Sequence, residues 1–230
     1  MSTAIDIERR IAREIIRAER APGSRLPSVR DLARRYAVTP PTIQRVIDRL
    51  AAGGLVRARR GSGVTVCDPT RSGDLSLLPL WFDALADQPD RAAAILADVL
   101  ELRRVLSAHL ARTAAPRIAR AAAAIGERLA VAVAATTVAA RADADLALTA
   151  IAIEAAGQCA VAAVFHTTER LVREVPHIAE ALYGDGAYYR RVLAQLAAAL
   201  AGQRNADTLP ALFETWDARS VRRYRKALSR

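Results

Sequence analysis

The sequence predicts a mainly α protein with two differently built parts. Residues 5–52 carry three segments with apolar residues at helical spacing, and residues 55–67 carry two short β-prone runs around a glycine-containing loop. From residue 75 onward the pattern is helical throughout. The order helix, helix, turn, helix, hairpin is that of a winged helix-turn-helix. The remainder is predicted to be an antiparallel α-helical bundle.

The first helix is predicted from isoleucines that recur every fourth residue and form one apolar face. A second helix begins at Ser28, in a run that resembles a capping box with Asp31 at its third position. A third begins at Thr39 as the N-cap, and prolines follow in the first turn, where a missing N–H does no harm. The buried stripe expected for this third helix is Ile43, Val46, Ile47 and Leu50.

Two β-prone runs, residues 55–58 and 64–67, flank an Arg- and Gly-containing loop and predict a β-hairpin. The following residues, 68–73, contain proline and glycine and are predicted to form a linker. The long helical segment that begins at residue 143 is expected to break near His166. The helices predicted after the linker span residues 75–86, 90–115, 117–139, 143–175, 178–182, 188–202 and 208–229.

Charge is unevenly distributed along the chain. The formal net charge is +10, and residues 1–70 hold 14 arginines against 7 acidic residues, a net of +7 that leaves +3 for the other 160 residues. A basic small domain joined to a nearly balanced larger one is the electrostatic footprint of a nucleic-acid-binding protein. The alternative interpretation is a basic surface that contacts only solvent and no nucleic acid.

The third helix carries side chains that suit base-edge recognition. With its apolar stripe turned inward, Pro41, Thr42, Gln44, Arg45 and Arg49 remain on the outside. Arginine suits guanine, glutamine suits adenine, and threonine can donate or accept a hydrogen bond. These residues predict a recognition helix that enters the major groove.

Two further features predict contacts with DNA. Arg30, near the start of the second helix, is expected at the backbone or the groove edge. The hairpin tip, Arg60-Gly61-Ser62-Gly63, is a slender cationic finger suited to a minor groove, because glycine lets the backbone approach closely. The alternative is a three-helix protein-interaction domain with a basic surface. The helix-turn-helix spacing, the predicted hairpin and the local positive charge together favour DNA binding.

Residues 24–63 resemble the N-terminal domain of the GntR family of bacterial regulators. The matches include Leu26-Pro27-Ser28, Leu32-Ala33, Gly54-Leu55 and Gly61-Ser62-Gly63, whereas Pro40-Pro41 and Gln44 depart from the common pattern. In that family a dimer binds a short inverted repeat, so the resemblance implies a homodimer on double-stranded operator DNA. The expected DNA-contacting residues are Ser28, Arg30, Thr39, Pro41, Thr42, Gln44, Arg45, Arg49, Arg60, Gly61 and Ser62.

The segment from Leu75 to Ala227 resembles the all-helical effector domain (FCD) of the FadR subfamily. Arg103 stands at the typical arginine of its first long helix, and residues 145–158 match a recurrent run that begins with an aspartate. Many members hold a divalent metal through one Asp and three His. Here Asp145 is present, but Thr149 occupies the first His position and no histidine follows His177. We therefore expect no metal site and no cofactor.

Metal-free members of the subfamily include a regulator that binds acyl-CoA, and residues 216–224 resemble its ligand-lining helix. Trp216, Ser220 and Tyr224 lie on one helical face, although simple core packing would explain them equally well. Arg103 could instead pair with a small carboxylic acid. The expected effector is thus a small carboxylic acid or a fatty acyl-CoA. The expected effector-binding residues are Arg103, Asp145, Thr149, Trp216, Ser220 and Tyr224.

The sequence shows no phosphate-binding glycine loop, no Ser/His/Asp or Cys/His set and no zinc-ligand spacing, so we expect no enzyme and no catalytic residues. A charged N-terminus and the lack of a membrane-length apolar stretch predict a cytoplasmic protein without a membrane partner. The expected function is a ligand-released repressor; the alternative is a helical enzyme or lipid-binding protein fused to a DNA-binding module. Expected domains are a DNA-binding domain (1–68), a linker and short helix (69–88), and an effector-binding and dimerisation domain (89–230).

Overall fold

The computed structural model describes residues 3–59, 61–200 and 209–229. The chain divides into two compact units, Met1–Asp87 and Gln88–Arg230. The predicted fold class is confirmed, because the first unit contains three helices followed by a β-hairpin and the described part of the second contains only helices.

The three helices that precede the hairpin in the N-terminal unit are α1 (Ala4–Ile16), α2 (Val29–Tyr36) and α3 (Pro40–Ala52). Helix α2 begins as predicted, because the Ser28 hydroxyl accepts a hydrogen bond from the backbone N–H of Asp31 at 3.2 Å. It ends at Ala37, which adopts a left-handed conformation with φ of 52°. These short, well-defined ends fix the turn between α2 and α3.

Helix α3 begins without the side-chain cap that the sequence suggested for Thr39. An N-cap side chain normally accepts from the second or third helical N–H. Here the second residue is Pro41, which has no N–H, and the N–H of Thr42 bonds the carbonyl of Thr39 at 3.0 Å. The Thr39 hydroxyl instead lies 3.0 Å from the Thr42 hydroxyl.

One apolar core joins the three helices. The buried stripe predicted for α3 is confirmed, and each of its four residues is at most 1% exposed. Helix α1 packs against α3 and buries its own isoleucine face, as the four-residue spacing predicted. The main apolar residues of this core are Ile7, Ile11, Ile15, Leu32, Ile43, Val46, Ile47, Leu50 and Leu55.

The predicted hairpin consists of β1 (Val56–Arg59) and β2 (Gly63–Val66), which pair antiparallel. Arg57 lies opposite Thr65, and Arg25 forms an isolated bridge to Thr65 from the other side. Alternate residues of a strand point to opposite faces, so Val56, Val64 and Val66 are buried while the intervening side chains are more exposed.

The segment predicted as a linker contains a short helix, α4 (Pro69–Ser72), and a 3-10 turn and helix α5 (Leu78–Ala84) follow it. The Asp68 carboxylate accepts from the N–H of Thr70 at 3.0 Å, an Asx cap that a proline- and glycine-based interpretation overlooked. Arg17 of α1 donates to the carbonyl of Ala84 at 2.7 Å. These contacts hold residues 68–84 within the N-terminal unit.

The helical unit contains three breaks that the sequence interpretation missed or misplaced. The long segment breaks at Gly157, whose φ of +64° ends the preceding helix, and not near His166. The predicted helix 117–139 divides twice: once after Ala119, and again at Thr137, which caps a new helix through the N–H of Ala140 at 3.1 Å. The helices are α6 (Pro89–Thr113), α7 (Ala115–Ala119), α8 (Ala122–Ala134), α9 (Val138–Ala156), α10 (Cys159–Glu174), α11 (Pro176–Tyr183), α12 (Gly186–Leu200) and α13 (Leu209–Leu228).

Helix α6 runs the length of this unit and packs along α13, and α9 packs against both α8 and α11. Trp216 of α13 packs against both Tyr183 and Tyr189, with ring centroids 6.2 and 6.1 Å away, and these two tyrosine rings also contact each other at 5.6 Å. None of the described helices is long and apolar enough to cross a membrane.

Candidate nucleic-acid interface and ligand cavity

The outward face of α3 carries the predicted base-reading residues. Pro41, Gln44, Arg45 and Arg49 are exposed, and Thr42 is half-buried at the start of the helix. Because the buried stripe occupies the opposite side, the first two turns of α3 present these polar side chains to solvent. This geometry suits a helix that enters a DNA groove with its N-terminal residues.

The exposed polar residues of this face differ in how far they are already engaged. Gln44 donates to Asp48 at 2.9 Å, and Arg49 donates to Glu8 of α1 at 3.1 Å. Within the described part of the chain, Arg30 and Arg45 have no hydrogen bond or ion pair. An arginine that keeps all five donors can offer a bidentate contact to a base or a phosphate. Of the predicted DNA-contacting arginines on α2 and α3, Arg30 and Arg45 are therefore the ones whose guanidinium groups remain available for DNA.

The tip of the hairpin is exposed and requires glycine. Gly61 and Gly63 have φ of +77° and +81°, a region that favours glycine. Between them, the N–H of Ser62 bonds the carbonyl of Arg59 at 3.0 Å and closes the turn. Arg60, the cation predicted for the minor groove, lies outside the described residues.

A cluster of arginines beside the hairpin was not predicted. Arg25, Arg57, Arg59 and Arg71 line a concave surface with a volume of about 570 Å³. Arg57 and Arg59 share one face of β1 because they are two residues apart. No described residue forms an ion pair with any of the four, and Asp68 is the one acidic residue in the lining. The spacing of Arg57 and Arg59 is the sequence feature that could have predicted this cluster, because residues two apart on a strand lie on the same face.

The helical unit contains two adjoining, partly open cavities, with volumes of about 380 and 250 Å³. Most of the lining is apolar and comes from α6, α9 and α10, with α11 added in the larger cavity and α12 and α13 in the smaller one. Three predicted effector-binding residues, Arg103, Asp145 and Thr149, line both cavities, and Trp216 lines the smaller one. Pockets of this size and polarity are typical of small-molecule sites.

The guanidinium of Arg103, in the wall of both cavities, is bonded to a carboxylate of α13. It donates to one carboxylate oxygen of Asp217 at 2.8 Å, while Arg104 donates to the other at 3.2 Å. Arg103 also lies over the ring of Trp216, 5.3 Å from its centroid. Burial raises the pKa of Asp217, although both arginines act to lower it. Sequence reasoning missed Asp217, which is 114 positions from Arg103.

The carboxyl of Asp145 is held by a tyrosine from α11. Tyr183 donates to Asp145 Oδ2 at 2.8 Å. Burial raises the pKa of Asp145 despite the nearby Arg103, and it raises the pKa of Tyr183 as well. The hydroxyl of Tyr189 also interacts with this carboxyl. The structure thus places a buried carboxyl beside two tyrosine hydroxyls and Arg103, in the wall that the two cavities share.

The predicted ligand-lining face of α13 is only partly exposed to a cavity. Ser220 is buried and donates to the carbonyl of Trp216 at 2.9 Å within the helix. Tyr224 is also buried, and burial raises its pKa to about 12. Neither residue belongs to the lining of the two cavities described above, whereas Trp216 does.

The described residues contain no group of three or more His, Cys, Asp or Glu side chains that could hold a metal ion. Thr149 lies in the cavity wall at the position where the family resemblance would place a histidine. Around Asp145 the nearby groups are instead the phenols of Tyr183 and Tyr189 and the guanidinium of Arg103. This donor set does not fit a divalent metal, which needs several oxygen or imidazole ligands.

A family model described as "Bacterial regulatory proteins, gntR family" matches residues 3–66, the helices and hairpin of the N-terminal unit. The HTH-type transcriptional regulator Mce2R of Mycobacterium tuberculosis is 39% identical over 74 residues, which cover 32% of this chain and 31% of that protein. The chain thus spans about a third of the length of the first curated relatives it matches.

A longer similarity reaches into the helical unit. The uncharacterized HTH-type transcriptional regulator Rv0494 of Mycobacterium tuberculosis is 31% identical over 165 residues, which cover 71% of this chain and 66% of that protein. The solved structure of Lar, described as controlling expression of the Listeria monocytogenes agr system, covers 98% of both chains with a TM-score of 0.55. At 15% identity, that likeness concerns the fold alone.

Proposed function

Because the N-terminal unit of this chain belongs to the gntR family of bacterial regulatory proteins, we propose that the protein is a transcription regulator that binds operator DNA and responds to a small molecule. The observation that carries the DNA-binding role is the exposed N-terminal face of α3, with Arg45 unengaged above a fully buried stripe. A recognition helix needs an apolar face that packs rigidly on its domain and polar side chains that are free to contact DNA.

The proposed partner is a palindromic operator bound by a homodimer. Two recognition helices related by two-fold symmetry read half-sites about one helical turn apart. Arg45 and Gln44 would read base edges, while the arginines beside the hairpin would neutralise phosphates. The two relatives named above are HTH-type transcriptional regulators, which supports this class over the helical enzyme or lipid-binding protein that sequence reasoning left as an alternative.

The experiment that tests this role is selection from a random duplex library with the full chain. We expect one inverted-repeat sequence to be enriched and two chains to bind each selected duplex, measured by sequencing and by the mass of the complex. Binding to duplex DNA without enrichment of any sequence would contradict operator recognition.

The proposed effector site is the pair of adjoining cavities in the helical unit. A ligand changes DNA affinity only when it binds the DNA-competent and DNA-incompetent states unequally. We propose release of the operator by the ligand, and assign the unit to the FadR subfamily on the sequence resemblance given above. The acid or acyl-CoA expected from the sequence would have to share Arg103 with Asp217, which already bonds it.

A further inference from the structure

The charged side chains in and behind the wall shared by the two cavities balance one another. Arg103 and Arg104 each donate to the carboxylate of Asp217, at 2.8 and 3.2 Å. The other carboxyl, Asp145, lies near Arg103 and accepts a hydrogen bond from Tyr183 at 2.8 Å. The wall therefore holds two guanidinium groups against two carboxyl groups, and their formal charges sum to zero.

The other charged or titratable residues in the lining of the larger cavity, Tyr183 apart, are exposed or already paired. Glu154 and His166 are exposed, and Glu169 accepts from Arg173 at 3.1 Å. A charged ligand group would thus enter a wall whose charges already balance, and one charge would be left uncompensated away from water, which is costly. A neutral ligand avoids this cost.

One hydroxyl group in the lining is free to bond a ligand. Ser107 and Thr168 each donate to a backbone carbonyl of their own helix, at 2.9 and 2.8 Å. The hydroxyl of Tyr183 donates to the carboxyl of Asp145. Thr149 lines both cavities, and its hydroxyl forms no hydrogen bond to any residue that the structure describes. It is therefore the hydroxyl that a ligand can bond without displacing another partner.

The surroundings of Thr149 are mostly apolar. Ile153 lies one turn further along α9, and Phe165 approaches from α10; both line the two cavities together with Thr149. In the larger cavity Leu100 of α6 and Leu171 of α10 extend this apolar wall. A ligand that bonds Thr149 would therefore place the rest of its surface against hydrocarbon.

From this arrangement we infer that the cavities bind a neutral, mainly apolar molecule with one hydroxyl or carbonyl oxygen, held by a hydrogen bond to the hydroxyl of Thr149. A threonine hydroxyl can donate to either kind of oxygen and can accept from a hydroxyl. The volume of about 380 Å³ suits a small ligand of this kind. This inference rests on the ligand-binding part of the proposed function and replaces the acid expected from the sequence with an uncharged class.

The test compares three probes that share an eight-carbon chain and differ in charge at neutral pH: 1-octanol, octanoate and octylamine. Binding to the full chain is measured by calorimetry, and unfolding by the melting temperature. Octanol is expected to bind and to raise the melting temperature. Octanoate and octylamine are each expected to bind at least roughly tenfold more weakly, because either one adds a charge that the wall does not compensate.

Variants locate the hydrogen bond. Thr149→Val keeps the branched shape of the side chain but removes its hydroxyl, and it should weaken octanol binding roughly fivefold, the contribution of one hydrogen bond. Thr168→Val is the matched control: it makes the same change in the lining of the larger cavity, at a hydroxyl already bonded within its helix, and should leave octanol binding nearly unchanged. If Thr149→Val does not fold, Thr149→Ala measures the hydroxyl in its place.

Octanoate or octylamine binding that equals octanol binding, or octanol binding that is the same in Thr149→Val and in the unmodified chain, would overturn the inference. Operator binding, measured without any probe, tests the proposed function separately. A chain that binds its operator but not octanol keeps the DNA-binding role and loses this ligand class. A chain that binds octanol through Thr149 but recognises no operator supports the ligand class and loses the regulatory role.

Discussion

The two units of this chain present their candidate binding residues in opposite ways. In the N-terminal unit, the described candidates lie at the surface of α2, α3 and the hairpin. In the helical unit they line partly open cavities between helices, and the lining of the larger cavity extends from Leu96 to Tyr183. An exposed surface on a helix depends on local spacing, whereas a cavity between helices depends on which helices pack together. Substitutions in the first should therefore alter binding, and those in the second stability as well.

The largest expected effect lies in the helical unit. Trp216→Ala should lower the free energy of unfolding by about 3–5 kcal/mol, because a buried aromatic ring leaves a void and the unit cannot fully collapse around it. The ring also donates its N–H to the carbonyl of Leu182 at 3.2 Å. Denaturant titration measures the change. Trp216→Phe retains most of the packing and is the control; equal stability of the alanine variant would show that the ring is not part of the core.

Arg45→Ala should weaken operator binding by about 1–3 kcal/mol, the value of one bidentate base contact, and leave the melting temperature nearly unchanged because the side chain is exposed. Titration against the selected operator and a scrambled duplex measures both affinities. The matched control is Arg91→Ala, which removes one exposed arginine from the helical unit. An equal loss on scrambled DNA would mean that Arg45 contacts phosphate only.

Arg57→Ala is expected to have a smaller effect that is the same for every DNA sequence. Loss of one phosphate contact lowers the slope of log affinity against log salt concentration by about 0.9. Affinity measured at several salt concentrations gives this slope. Arg91→Ala again serves as the control for loss of one positive charge, and an unchanged slope for Arg57→Ala would remove the arginine cluster beside the hairpin from the DNA interface.

The smallest effect concerns pH. Burial raises the native pKa of Asp217 above its unfolded value, so the stabilisation from this group is fully present below the unfolded pKa and is lost as pH rises through the native pKa. The unmodified chain should therefore lose stability relative to Asp217→Asn as pH rises above about 4, the ordinary pKa of an aspartate. Denaturant titrations of both chains at a series of pH values from about 4 upward test the sign. A relative gain with rising pH would show that Arg103 and Arg104 outweigh burial.

In the N-terminal unit, the sequence determined the first three helices, the hairpin and the exposed polar face of α3. Each depends on residues close to one another, such as the isoleucines of α1 or the Ser28 cap of α2. It did not predict that Arg49 bonds Glu8 of α1, because that contact joins residues 41 positions apart. The sequence thus predicted which side chains of α3 are exposed, but it did not predict which of them are already bonded to other residues.

In the helical unit, the sequence predicted the helical content and identified Arg103, Asp145 and Trp216 as candidate effector-binding residues. Tertiary structure decided what these residues do. Helix α13 brings Asp217 to Arg103, and α11 brings Tyr183 to Asp145, from 114 and 38 positions away. The sequence specifies the charge of a side chain, but the tertiary structure decides which residues lie beside it and whether they neutralise that charge. Arg103 is therefore a paired cation in the cavity wall, and Asp145 is a buried carboxyl beside the hydroxyls of Tyr183 and Tyr189.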